Sequence, residues 1–158
     1  MTRHLMAWVG ITAVVLILSA AVCHCQDRTD YRRAADSLGQ YRAAFRAMTQ
    51  DSQITGSNQQ DVQDLLAATE LCYESVYALS QIKKLDACLS QESRSTMGAI
   101  CYDYEYRTLV LLMDKKDSID AYRQRAGDPE IIATGGQLSA YLSQLTGQLQ
   151  RWIKRRTF

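Results

Sequence analysis

RQRAGDPE, residues 123–130, ends one helix and begins another. Arg123 and Arg125 place cations where a helix C-terminus favours them, and Gly127 suits a left-handed cap. Asp128-Pro129-Glu130 then supplies an N-cap, a first helical residue and an acidic first turn. Upstream, Ile100, Cys101, Tyr104, Thr108, Leu111, Ile119 and Tyr122 recur at helical spacing and predict a helix over about 95–126. Downstream, Leu138, Leu142, Leu145, Leu149 and Trp152 predict another over 129–156. Gly135-Gly136 either kinks that helix or precedes it, in which case Thr134 and Gln137 form a second capping box.

Two more helices lie further out. Val62, Leu65, Thr69, Cys72, Val76 and Leu79 form a seam that drifts sideways through Ile82, Leu85 and Leu89. It predicts a helix over about 58–91, opened by a capping box of Ser57 and Gln60. Tyr31, Ala34, Leu38, Tyr41, Phe45 and Met48 alternate spacings of three and four, which predicts a helix over about 27–50. The polar stretches DSQITGSNQQ and SQESRST read as a loop and a turn. The fold expected is all-α: an elongated antiparallel four-helix bundle over residues 26–158, with an intermolecular coiled coil as the alternative that heptad spacing alone leaves open. About 130 residues suit one domain with a modest core.

Residues 1–25 are of another kind. Arg3 and His4 precede an apolar stretch from Leu5 to Leu18, and Ser19-Ala20-Ala21 meets the small-x-small rule for cleavage before Val22. Leu5 to Cys23 also comes close to the roughly 20 residues that a membrane-spanning helix needs. A signal anchor and a cleaved signal peptide both fit. Lipid attachment fits less well, because Val22 and His24, rather than small residues, precede Cys23 and Cys25. The body is expected to be exported and periplasmic, anchored in the inner membrane or released after signal cleavage.

Charge and chemistry narrow the work the body can do. Of the 18 Lys and Arg only Arg3 precedes Asp27, and none of the 17 Asp and Glu does, so the body is balanced and has no overall field to draw nucleic acid. The only two histidines are His4 and His24. The body therefore has no imidazole base and no histidine ligand, and neither a catalytic residue nor a metal or cofactor is assigned. Cys23-His24-Cys25 is a weak match to a soft-metal site, and Glu70 with Glu74 and Asp103 with Glu105 read as solvated carboxylates.

In an oxidising compartment Cys88 and Cys101, equidistant from a helical turn, are the expected disulfide, with Cys72 and Cys101 second. Packed helix axes lie about 8–10 Å apart while a disulfide needs Cα atoms within about 7 Å, so the bond requires the helices to pinch together near the turn.

Two features point to macromolecular partners. Tyr73 with Tyr77, and Tyr102 with Tyr106, are pairs four apart that put two phenol rings on one helical face, and Tyr is enriched at protein interfaces. The run Leu109 to Met113 is apolar all round its helix and calls for cover on every side. RWIKRRTF, residues 151–158, groups Arg151, Lys154, Arg155 and Arg156 around Trp152, with no acid after Glu130. That composition suits anionic headgroups or an acidic groove on a partner. The function expected is that of an exported, membrane-associated interaction protein, an adaptor or accessory subunit of an envelope assembly of secretion, conjugation or phage-lysis type. The alternative is a periplasmic helical inhibitor or immunity protein that blocks one enzyme.

Overall fold

The computed structural model describes residues 31–51, 54, 56–89 and 94–156. Among them are four helices and no strand: α1 over 31–50, α2 over Ser57–Cys88, α3 over Arg94–Arg125 and α4 over Pro129–Arg156. The expected first turn at 27–30 and the apolar segment 1–25 lie outside the described residues. No described helix is long and apolar enough to cross a membrane.

Contacts between consecutive helices make an antiparallel bundle. Arg46 of α1 pairs with Glu70 of α2 at 2.6 Å, and the Ser75 and Thr108 hydroxyls bond at 2.9 Å between α2 and α3. Gln150 of α4 donates to the Met113 sulfur of α3 at 3.9 Å. α4 returns beside α1, where the Tyr41 and Tyr141 rings lie 6.0 Å apart and the Tyr141 hydroxyl donates to the Ala34 carbonyl at 3.4 Å. α2 and α3 have 32 residues each, about 48 Å at 1.5 Å per residue.

The seams meet inside. Leu38 and Phe45 of α1, Val62, Leu65, Cys72, Val76 and Leu79 of α2, and Leu138, Leu142 and Leu149 of α4 are fully buried. One chain thus closes a core of its own, and the coiled-coil alternative is not needed to cover its seams. α3 contributes Thr108, Leu112 and Ile119, joined by Glu105, which is completely buried although the sequence reads it as a solvated carboxylate. Two expected seam residues are exposed instead, Leu85 at 58% and Ile100 at 50%. Since Gln150 meets Met113, Arg156 of α4 comes level with about residue 107 of α3, and Ile100 lies beyond its reach. The drift of the seam meanwhile carries Leu85 about 240° round α2 from buried Leu79.

The helix ends differ from expectation in detail. α4 begins as its sequence implies: the Asp128 carboxylate accepts from the N–H groups of Glu130 (2.8 Å) and Ile131 (3.2 Å). The helix runs on through Gly135 and Gly136, so the second capping box at Thr134 is not used. A Cβ at Gly135 would meet the Cβ of Arg123 at 3.2 Å, and glycine there permits close approach of α3 and α4. Gly127 does not take the left-handed conformation; its N–H donates to the Asn58 side chain at 3.0 Å, tying the α3–α4 turn to the start of α2. Gly56, at φ 64°, is the N-cap of α2, which displaces Ser57 into the helix and leaves its capping box unmade; Gln60 bonds Asp64 instead.

Candidate interaction surfaces

The two tyrosine pairs occupy different flanks of the bundle. Tyr73 and Tyr77 stack with centroids 5.8 Å apart, beside α1: the Arg42 guanidinium lies 4.1 Å over the Tyr73 ring, and Gly39 abuts that ring's edge. Tyr73 is half-buried and Tyr77 exposed, so this pair is largely occupied by its own fold. Tyr102 and Tyr106 instead open a stripe on α3 that continues through Val110 and Met113, where Gln150 of α4 borders it. These four recur at spacings of four, four and three, which keeps them on one side of a helix. The expected single tyrosine face of the second and third helices is thereby divided: Tyr73 turns to α1, while Tyr102 and Tyr106 are exposed on α3.

The stripe also answers the apolar run. Leu109 and Leu112 are buried and Leu111 half-buried, but Tyr106 at 54%, Val110 at 51% and Met113 at 46% exposed have no cover from the described residues. Contiguous exposed apolar side chains of this kind mark interaction sites.

The basic segment of α4 divides too. Arg151, Lys154 and Arg155 are exposed, whereas Trp152 packs edge-on against Tyr31, centroids 4.9 Å apart, and Ile153 is buried. Trp152 therefore belongs mainly to the fold; Arg156 closes the helix.

Below Trp152 lies the feature that sequence reasoning missed. The Tyr31 hydroxyl donates to Glu105 Oε1 at 2.9 Å, and Lys83 Nζ lies 2.9 Å from the same oxygen. A fully buried carboxylate thus joins α1, α2 and α3 at the end of the bundle where α1 begins. Its signal was positional: Glu105 falls on the sequence 101, 105, 108, 112 of buried α3 residues. A charged residue at a core position announces a partner.

The cysteines correct an expectation. Among the described residues Cys72, Cys88 and Cys101 form no disulfide, and none of them lies at disulfide distance from another. Cys88 and Cys101 are offset along the hairpin, since the register of Ser75 with Thr108 sets Cys88 opposite about residue 95, and they point apart: Cys101 is buried, while Cys88 is exposed, about 160° round α2 from buried Cys72. The second pairing fails on register, since residues facing one another across α2 and α3 follow Ser75 with Thr108, which puts Cys72 well below Cys101. Burial, opposed by nearby Lys115, pushes the Cys72 thiol up to about 12, so it is an inert core residue.

A shallow groove runs between α1 and α4, with a recess of about 380 Å³ lined by Ser37, Gln40, Tyr41, Gln137 and Tyr141. The polar groups of this recess are uncharged, and among the described residues no three His, Cys, Asp or Glu side chains gather as a metal site. What the molecule presents is surface: an apolar stripe on α3, and an end carrying cations. The chain matches no known protein family, no curated protein and no solved structure.

Proposed function

We propose that this chain is an exported, membrane-associated helical interaction protein, an adaptor or accessory subunit of an envelope assembly of secretion, conjugation or phage-lysis type. The observation that carries the reading is the uncovered stripe of Tyr102, Tyr106, Val110 and Met113 on a bundle whose core is otherwise closed. Aromatic and Met side chains are the types enriched in interface cores. The body's balanced charge argues for protein and membrane partners rather than nucleic acid.

The test is a pair of charges on the stripe. Tyr106→Asp with Val110→Asp alters exposed positions and leaves the melting temperature near that of the parent. The full chain, extracted from its own membranes in mild detergent, is expected to migrate as a large assembly, and the double variant as a lone chain. An unchanged size for the variant removes the stripe from the account. Recovery of the parent bound to one soluble enzyme favours the inhibitor alternative.

A further inference from the structure

Residues 1–30 join the bundle at Tyr31, which packs on Trp152 and bonds Glu105. The chain therefore enters the body at the end that also holds the basic segment of α4 and the tip of the α2–α3 hairpin. Between Cys23, where the apolar stretch stops, and Tyr31 lie residues 24–30. Fully extended, they span at most about 25 Å. Any membrane entered by Leu5–Cys23 lies within that distance of this end.

The near-zero net charge of +1 conceals a separation of charge along the bundle. At the end where α1 begins, exposed Arg32, Arg33, Lys84, Arg151, Lys154 and Arg155 outnumber Asp36, Asp86 and Asp103. At the other end Asp51, Asp61, Asp64, Asp117, Asp120, Asp128 and Glu130 outnumber Lys116, Arg123 and Arg125. The basic end also bears the exposed Leu85 and Ile100, which come level with one another near the hairpin tip, flanked by half-buried Leu89 and Met97. Lys84 adjoins Leu85, and the cations of α4 lie a few turns back from the hairpin tip; cations set behind exposed apolar side chains, tethered within reach of an apolar segment, are what an anionic bilayer surface attracts.

From this juxtaposition we infer that the basic end of the bundle docks on an anionic lipid surface, with Arg151, Lys154 and Arg155 at the headgroups and the Leu85–Ile100 edge of the hairpin in the interface. The inference rests on the membrane association proposed above and adds to it an orientation and a lipid chemistry. The acidic end then points away from the membrane, and the α3 stripe stands along the flank, accessible to a protein partner.

The test uses the full chain in vesicles of phosphatidylcholine, alone or mixed with phosphatidylglycerol, with Cys23, Cys25 and Cys88 replaced by serine. A fluorophore is attached at Leu85→Cys, or at Gln59→Cys near the opposite end, and a nitroxide headgroup lipid is the quencher. The Leu85 label is expected to be quenched in anionic vesicles and the Gln59 label not. Converting Arg151, Lys154 and Arg155 to Gln weakens docking on the order of a hundredfold and abolishes the quenching. If the chain floats with both kinds of vesicle but the two labels respond alike, the orientation is wrong while membrane association stands. If quenching at Leu85 is equal in neutral and anionic vesicles, the headgroup chemistry is wrong. A chain that floats with neither overturns membrane association, and this inference with it.

Discussion

Glu105 shows how one residue constrains three helices. Its carboxylate has no exposure, and its negative charge is offset by Lys83 at 2.9 Å with the Tyr31 hydroxyl on the same oxygen. Removing one partner of a buried pair leaves an uncompensated charge, at a cost of about 3 kcal/mol or more, whereas replacing both with apolar groups is often neutral. Lys83→Met is therefore expected to lower unfolding stability by about 3 kcal/mol in urea titrations, and Lys83→Met with Glu105→Leu to recover most of that loss. A double variant as unstable as the single one would show that the carboxylate holds the bundle through Tyr31 instead. Hydropathy alone hides such a residue, because it scores Glu105 and Asp103 alike; only the position of Glu105 between Cys101 and Thr108 on the buried side of α3 separates it from Asp103, which pairs with Arg107 in solvent.

The helices themselves were legible wherever an apolar seam and a cap coincided. Asp128-Pro129 marks the start of α4 because its capping chemistry is local and survives folding unchanged. Ser57 and Gln60 do not act as a cap: Gly56, at φ 64°, is the N-cap of α2, and the neighbouring Asn58 makes a tertiary bond to Gly127 that no local pattern announces. Gly135, which by sequence either kinks α4 or precedes it, lies within the helix as a contact residue. Gly135→Val forces a side chain against Arg123 Cβ and is expected to cost about 1–3 kcal/mol by overpacking, while Gly98→Ala, with nothing within 4 Å, is expected to stabilise α3 by about 0.5–1 kcal/mol. Thermal melts of the two variants should move in opposite directions.

The α3–α4 seam carries the clearest pH dependence. Burial raises the Asp120 pKa, but bonds from Lys116, Ser139 and Arg123 outweigh it and hold the carboxyl down at about 2. A depressed carboxylate contributes stability that is fully present above its unfolded pKa, near 4, and is lost as pH falls toward 2. Allowing for solvent screening of this partly exposed group, the contribution is about 1 kcal/mol. Asp120→Asn is expected to remove it, flattening the fall in unfolding stability between about pH 4 and pH 2. An equally steep fall in the variant would assign the acid sensitivity to other carboxylates.

At the scale of the whole molecule, the sequence makes four helices legible but not the direction in which their exposed residues face. The separation into a basic and an acidic end depends on antiparallel packing, which brings Arg32 of α1, Lys84 of α2 and Arg155 of α4 together from distant parts of the chain. The tyrosine pairs likewise look equivalent along the sequence, yet α1 occupies one and leaves the other to the solvent. The proposed role of this uncovered flank of α3 is to meet a protein in the envelope. The most direct measurement places a photoreactive amino acid at Val110, and at Gln59 as a control, in the full chain in its native membranes. A covalent adduct at Val110 with a membrane-assembly protein and none at Gln59 is expected; adducts equal at both positions, or none at Val110, would contradict the proposed role.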